Sequence, residues 1–179
     1  MHRVAPACLL LCFSTIIQAG NQIPGTSSHA KGVVDKLPWQ FTLKTKKLAK
    51  KQSGLTGSTQ SQRVSFRSRK PIKKTNSGGI YLRGTLTSHR FNNADAARDH
   101  FQKQVTSAHP DMGLSYAWDY LVLTRNHIHH LYGECTISDS HFQQMIKNLD
   151  RILTSSGQMK NRTLLCRCGS GCREPTSNK

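Results

Sequence analysis

The sequence predicts an α+β fold, a small antiparallel sheet with two helices on one face, preceded by a basic and largely disordered segment. Two observations carry this prediction. Residues 79–168 alternate strand-like and helix-like apolar patterns, whereas residues 31–74 are poor in apolar side chains. The latter range holds thirteen Lys or Arg and one acidic residue, so it carries +12 of a formal net charge of +17. We therefore expect two parts with different roles.

Residues 1–19 have the pattern of a secretory signal peptide. A short basic head, His2 and Arg3, precedes an apolar run that ends at Ile17, and the small Ala19 follows. The run is shorter than the roughly 20 residues that a membrane-spanning helix needs. We expect a secreted or periplasmic protein with no transmembrane span after signal cleavage.

Residues 20–78 are predicted to be a basic, low-complexity arm or linker. Ser, Thr, Gln, Gly and Lys dominate this range, which buries too little apolar surface to offset the entropy lost on ordering. Two short segments, WQFTL and RVSFR, alternate apolar and polar residues and are candidate edge strands.

The arm predicts an exported, non-catalytic binding or accessory module that associates with an anionic partner. Nucleic acid, lipopolysaccharide, phospholipid headgroups and an acidic protein all fit, and a self-repelling linker is the structural alternative. Trp39, Phe41 and Phe66 lie among the charges and are candidates to stack or insert. The candidate anion-binding residues are Lys44, Lys46, Lys47, Lys50, Lys51, Arg67, Arg69, Lys70, Lys73 and Lys74.

Residues 79–168 supply the predicted α+β domain. The segment GGIYLRGTLTSHRF places Ile80, Leu82 and Leu86 on one side of a strand. The segment NNADAARDHFQKQVTSA then predicts an Asn-capped helix that ends before Pro110. The segment TISDSHFQQMIKNLDRIL predicts the most amphipathic helix, with Ser138 as its cap. A short last strand over residues 164–168 completes an order for which a ferredoxin-like arrangement is the specific expectation.

The segment LTRNHIHHLYGEC predicts a β-hairpin that turns at Arg125 and Asn126. In that register His127 and His129 share one face, whereas His130 lies on the other face. His127 and His129 are therefore candidate metal ligands, but the pattern names no third ligand. Two histidines on a half-exposed strand are the favoured interpretation, so we predict no metal and no cofactor.

Four cysteines remain after the signal peptide: Cys135, Cys166, Cys168 and Cys172. An even number in an exported chain favours disulfide bonds, although a four-sulfur zinc site is an alternative. We expect Cys135 to pair with a cysteine of the tail segment CRCGSGC and so to secure the last segment to the domain, with residues 169–179 as a flexible tail that contains Cys172.

The sequence contains none of the common catalytic motifs in a suitable structural context, so no catalytic residue is predicted. A small, basic, secreted hydrolase of the ribonuclease type is the alternative function. It would need two histidines of the folded half and a basic side chain to converge on one cleft.

Overall fold

The computed structural model describes residues 25–49, 57–76, 78–107, 115–156, 159–170 and 172. Three helices and eight strands lie within these ranges. In chain order they are α1 (Thr26–Val34), β1 (Phe41–Leu48), β2 (Gln60–Ser68), β3 (Lys73–Thr75), β4 (Gly78–Ile80), β5 (Arg83–Arg90), α2 (Ala94–Ser107), β6 (Ala117–Leu123), β7 (His127–Glu134), α3 (Asp139–Ser155) and β8 (Asn161–Cys166).

Six of the strands form one sheet in the order β1-β2-β5-β7-β6-β8, and every neighbouring pair is antiparallel. The short strands β3 and β4 form a separate hairpin between β2 and β5. The predicted α+β class is confirmed, but the sheet is larger than predicted. It is larger because β1 and β2 come from the basic segment, which we expected to be largely disordered apart from the candidate edge strands WQFTL and RVSFR. Strand β1, which includes the last three residues of WQFTL, is an edge strand, whereas β2, which contains RVSFR, is an interior strand.

One side of the sheet, which we call the first face, carries the main hydrophobic core. Val64, Leu86, Leu131 and Tyr120 lie opposite one another across β2, β5, β7 and β6. Helices α1 and α3 cover this row, and the apolar side of each helix is buried against it. Burial of each large apolar side chain contributes roughly 1.5–3 kcal/mol.

Helix α2 covers part of the opposite side, which we call the second face. Its buried residues Ala97 and Phe101 pack with Leu121, Leu123 and Ile128 of β6 and β7. The prediction of two helices on one face is therefore wrong, and the ferredoxin-like arrangement is not confirmed. The reason is that both sides of the β6–β7 hairpin are apolar, so each side requires its own helix.

Most local predictions for the second half of the chain are confirmed, with two corrections. The segment GGIYLRGTLTSHRF does not form one strand, because Ile80 ends β4 of the separate hairpin and β5 begins at Arg83. Ser138 occupies the N-cap position of α3, but its side chain makes no capping hydrogen bond. Leu121 lies opposite His130 and Leu123 opposite Ile128, as a turn at Arg125 and Asn126 requires. The side chain of Asn93 accepts a hydrogen bond from the Ala96 amide at 2.8 Å and so caps α2. The last strand is longer than expected and pairs with β6.

Two disulfides join the four cysteines, Cys135 with Cys168 and Cys166 with Cys172. The predicted pairing of Cys135 with a C-terminal cysteine is confirmed, and no thiolate of the four is left for zinc. The predicted signal peptide, residues 1–19, lies outside the described residues, as do residues 171 and 173–179 of the predicted tail. No helix in the described part of the chain is long and apolar enough to cross a membrane.

A buried asparagine of α3 holds the end of α1. Asn148 is only 1% exposed, and its Nδ2 donates hydrogen bonds to the carbonyl oxygens of Val33 at 3.0 Å and Asp35 at 2.8 Å. Carbonyl groups at a helix C-terminus have no partner within the helix, so this side chain satisfies groups that would otherwise be buried without one. The contact ties the N-terminal helix to the core.

We predict that Asn148→Leu lowers the free energy of unfolding by about 2 kcal/mol, because it leaves the Val33 carbonyl buried and unpaired. Urea unfolding followed by circular dichroism measures the change. Lys147→Ala, at the exposed neighbouring position, is the control and should change stability by less than about 0.5 kcal/mol. Equal losses in the two variants would contradict the assigned role.

Candidate anion-binding face

The half of the second face that α2 does not cover presents a set of basic side chains. Because residues alternate along a strand, burial of Val64 and Phe66 on the first face directs their neighbours in β2 to the second face. The same alternation applies to β1 and β5. We call this surface the open face, and its exposed cations are Lys44, Lys46, Arg63, Arg67 and Arg83.

A groove of about 630 Å³ runs over the open face near the start of β5. The row Lys44, Ser65, Thr85 and Tyr132 crosses four strands at this point. The remaining polar and aromatic residues that line the groove are Thr42, Phe66, Arg67, Ser68, Arg69, Tyr81, Arg83 and Glu134. Four cations, two tyrosines and one carboxylate therefore share a single concave surface.

The cations of the open face are held by contacts that leave their charge unneutralised. The Arg67 guanidinium lies 3.8 Å from the centre of the Tyr81 ring, and Arg63 Nε donates a hydrogen bond to Thr87 Oγ1 at 3.2 Å. Among the described residues, none of the open-face cations forms an ion pair. Their combined positive potential is therefore directed toward solvent.

The structure brings some of the predicted anion-binding residues together and separates others. Lys44, Lys46 and Arg67 lie on the open face, and Arg69 lines its groove. The other described candidates lie elsewhere: Lys47 is exposed on the opposite side of β1, and Lys70, Lys73 and Lys74 are exposed on and beside the β3–β4 hairpin. The predicted residues Lys50 and Lys51 lie outside the described residues.

The aromatic residues of the basic segment do not accompany its charges. Phe66 is 2% exposed, and Phe41 packs edge-on against it with ring centres 6.1 Å apart. Trp39 packs edge-on against His141, with ring centres 4.6 Å apart. Burial contradicts the expectation that Phe66 stacks on or inserts into a partner. Trp39 and Phe41 are partly buried at the margin of the first-face core, and for them the expectation stays a prediction.

Sequence reasoning missed four open-face residues, Arg63, Arg83, Tyr81 and Tyr132. The alternation of apolar and basic residues indicates where the two arginines point. Val64 and Leu82 are buried, so their neighbours Arg63 and Arg83 point away from the core. A count of charge over a whole segment does not separate the two faces of a strand, so it does not identify these arginines.

The first face contains a second polar cluster, formed by histidines. His127 and His129 of β7 share this face as predicted, and His29 of α1 joins them. The ring centres of His29 and His129 are 5.8 Å apart, and those of His127 and His129 are 6.0 Å apart. Ser88 Oγ lies 2.9 Å from His129 Nδ1. His129 is only 4% exposed, so the predicted half-exposed strand is wrong at this position.

The environment keeps these imidazoles neutral. Burial lowers the pKa of His129 to about 3, and the neighbouring His29 and His127 act in the same direction. Burial also lowers the pKa of His127, with a smaller contribution from Arg90. His89, hydrogen-bonded to Ser61 Oγ at 2.8 Å, has its pKa lowered to about 4, mainly by burial.

A metal site does not follow from the histidine cluster. Over the described part of the chain, no group of three or more His, Cys, Asp or Glu side chains is arranged to hold a metal ion. His29 Nδ1 and Gln62 Oε1 are buried without a hydrogen-bond partner in the same ranges. The cluster thus places polar side chains against the core, and not all of their polar atoms are hydrogen-bonded.

Comparisons with protein-family models, with curated proteins and with solved structures find no match to this chain. The functional argument therefore depends on the geometry and chemistry of the open face and of the histidine cluster.

We predict that acidification from about pH 7.5 to about pH 5 lowers the free energy of unfolding. The pKa values of His89 and His129 are about 4 and 3 in the folded protein, whereas a histidine exposed in the unfolded chain has a pKa of 6.5. The unfolded chain therefore binds protons that the folded chain excludes, and stability falls as the pH drops below 6.5. Each histidine accounts for about 2 kcal/mol at pH 5.

Urea unfolding at the two pH values tests this prediction. His89→Gln removes one of the two depressed imidazoles, so the difference in stability between the two pH values should shrink by about 2 kcal/mol. His141→Gln is the control, because it makes the same substitution at a histidine that is partly exposed. A pH dependence that is identical in the wild type and in His89→Gln would contradict the prediction.

Proposed function

We propose that this protein is an exported, non-catalytic binding module that associates with an anionic macromolecule through its open face. The observation that carries the proposal is the collection of five exposed cations, Lys44, Lys46, Arg63, Arg67 and Arg83, on one uncovered half of the sheet. The basic segment contributes four of them, and β5 contributes Arg83. Binding then uses a folded surface in place of the flexible arm that the sequence suggested.

Electrostatics supports this assignment. Among the described residues the open-face cations form no ion pair, and one carboxylate, that of Glu134, lines the groove beside four cations, so the net attraction is for an anion. Binding of a polyanion also releases its condensed counterions, which favours association at low salt.

The two disulfides are compatible with an extracellular or periplasmic location, because disulfides persist in oxidising compartments. Export therefore belongs to the proposal, together with the signal peptide predicted for residues 1–19.

We predict that the triple variant Lys44→Gln, Arg67→Gln, Arg83→Gln binds a labelled polyphosphate at least tenfold more weakly than the wild type. Loss of three phosphate contacts should also reduce the slope of log K against log salt by roughly 2. The measurement is fluorescence anisotropy on the full chain with its disulfides intact, over a series of salt concentrations.

The matched control is the triple variant Lys103→Gln, Arg125→Gln, Lys147→Gln. It removes the same charge from exposed positions that lie off the open face. Its affinity should stay within about threefold of the wild type. Equal losses in the two variants would show that net charge, and not the open face, determines binding, and the proposal would fail.

Phosphodiester hydrolysis is the second candidate function. The observation that favours it is the convergence of three histidines near Arg90, of which His29 and His127 are partly exposed. A neutral imidazole can act as a general base. The assay is cleavage of a labelled RNA by the full chain. Activity that is lost in His127→Gln and kept in His141→Gln would establish it, whereas absence of cleavage would reject it.

A further inference from the structure

We propose that the groove of the open face binds single-stranded nucleic acid. This inference rests on the proposed function and names the chemical class of its partner. The groove, at about 630 Å³, falls within the size range of sites that enclose small ligands. It is therefore large enough to receive individual nucleotide units and not only to attract a distant charge.

Aromatic side chains distinguish this groove from a simple basic patch. Tyr132 is 36% exposed, and it lies on the open face in the same row as Lys44. Tyr81 is stacked with the Arg67 guanidinium. Unpaired bases stack on aromatic rings and on guanidinium planes, and phosphates bind the adjacent cations. An antiparallel sheet that presents both groups is one of the common platforms for single strands.

The carboxylate of Glu134 gives the second argument. It lines the same groove as Arg83 and Arg67, where its negative charge repels a nearby phosphate or sulfate group. A purely polyanionic partner would gain nothing from it. A nucleobase can gain a hydrogen bond, because a carboxylate accepts one from the exocyclic amino group of cytosine. The hydroxyl groups of Ser65 and Thr85 add further donors and acceptors for base edges.

Other anionic partners use only part of this surface. A lipid surface would require aliphatic side chains to insert, but the large hydrophobic residues exposed in the described ranges are two tyrosines, Tyr116 and Tyr132. A duplex keeps its base faces stacked inside and cannot use Tyr132 in this way. A sulfated polysaccharide uses the cations and is repelled by Glu134.

The test compares variants of Tyr132 on the full chain with its disulfides intact. The probes are fluorescein-labelled twelve-nucleotide RNA and DNA single strands, a duplex of the same length, heparin and polyphosphate, all measured by anisotropy. We expect Tyr132→Leu to weaken single-strand binding by about tenfold. Polyphosphate binding should stay within about twofold, since the charge is unchanged. The RNA and DNA strands show which sugar the groove prefers.

Two controls separate stacking from structural damage. Tyr132→Phe keeps the ring and should retain wild-type affinity for the single strands. Tyr116→Leu removes an 87% exposed tyrosine that does not line the groove, and it should also bind like the wild type. A loss of affinity in Tyr132→Phe equal to that in Tyr132→Leu would overturn the stacking role.

Glu134→Gln tests the base contact. It should raise the affinity for polyphosphate, because it removes a repulsive charge, and it should reduce any preference for oligocytidine over oligouridine. An unchanged preference would overturn the proposed base contact of Glu134.

The outcomes also distinguish this inference from the proposed function. Single strands that bind no better than the duplex or heparin, with Tyr132→Leu unaffected, would overturn the nucleic-acid partner and leave anion binding intact. Heparin that binds at least tenfold more tightly than the single strands would identify a sulfated polysaccharide as the partner. Failure of every polyanion to bind would overturn both proposals.

Discussion

The packing of α1 and α3 on the first face is the constraint on which the rest of the structure depends. Val64, Leu86 and Leu131 must point toward these helices, because they form an apolar row of the main hydrophobic core. Successive side chains of a strand point to opposite faces of the sheet. Burial of Val64 on the first face therefore places Arg63, and every second residue of β2 counted from it, on the second face. The basic open face is thus a direct consequence of core burial, and a one-residue shift of β2 would bury its arginines.

Coverage of the second face is unequal because only the β6–β7 end of that face is apolar. Leu121, Leu123 and Ile128 require a cover, which Phe101 of α2 provides. Toward β1, the second face carries mainly polar side chains, and Lys44, Arg63 and Arg67 are exposed to solvent, which hydrates them well, so no helix needs to shield them. The same sheet therefore has one end that packs on both sides and one end that packs on one side. The groove lies at the second end, where a partner meets no steric obstacle from α2.

Sequence patterns predicted the second half of the chain better than the first because its apolar residues are dense enough to show their period. The register of the β6–β7 hairpin and the stripe on α3 follow from those periods alone. In β1 and β2, by contrast, the alternation is visible only in the short segments WQFTL and RVSFR, and the high charge and low apolar content of residues 31–74 favour disorder for the segment as a whole. The position of His29 could not be predicted, since its approach to His129 depends on where α1 docks. That docking is set by long-range contacts such as those of Asn148, which no local pattern contains.

Basic residues on an outer strand have a structural explanation that must be weighed against binding. Lysines on an edge strand prevent association of sheet edges, and β1, with Lys44, Lys46 and Lys47, is such an edge. The explanation does not extend to Arg67 and Arg83, because β2 and β5 are interior strands whose backbone groups are already paired. Like charges at directly opposed positions on adjacent strands destabilise a sheet, and these two arginines face each other. Edge protection therefore accounts for the lysines of β1, but it does not account for Arg67 and Arg83.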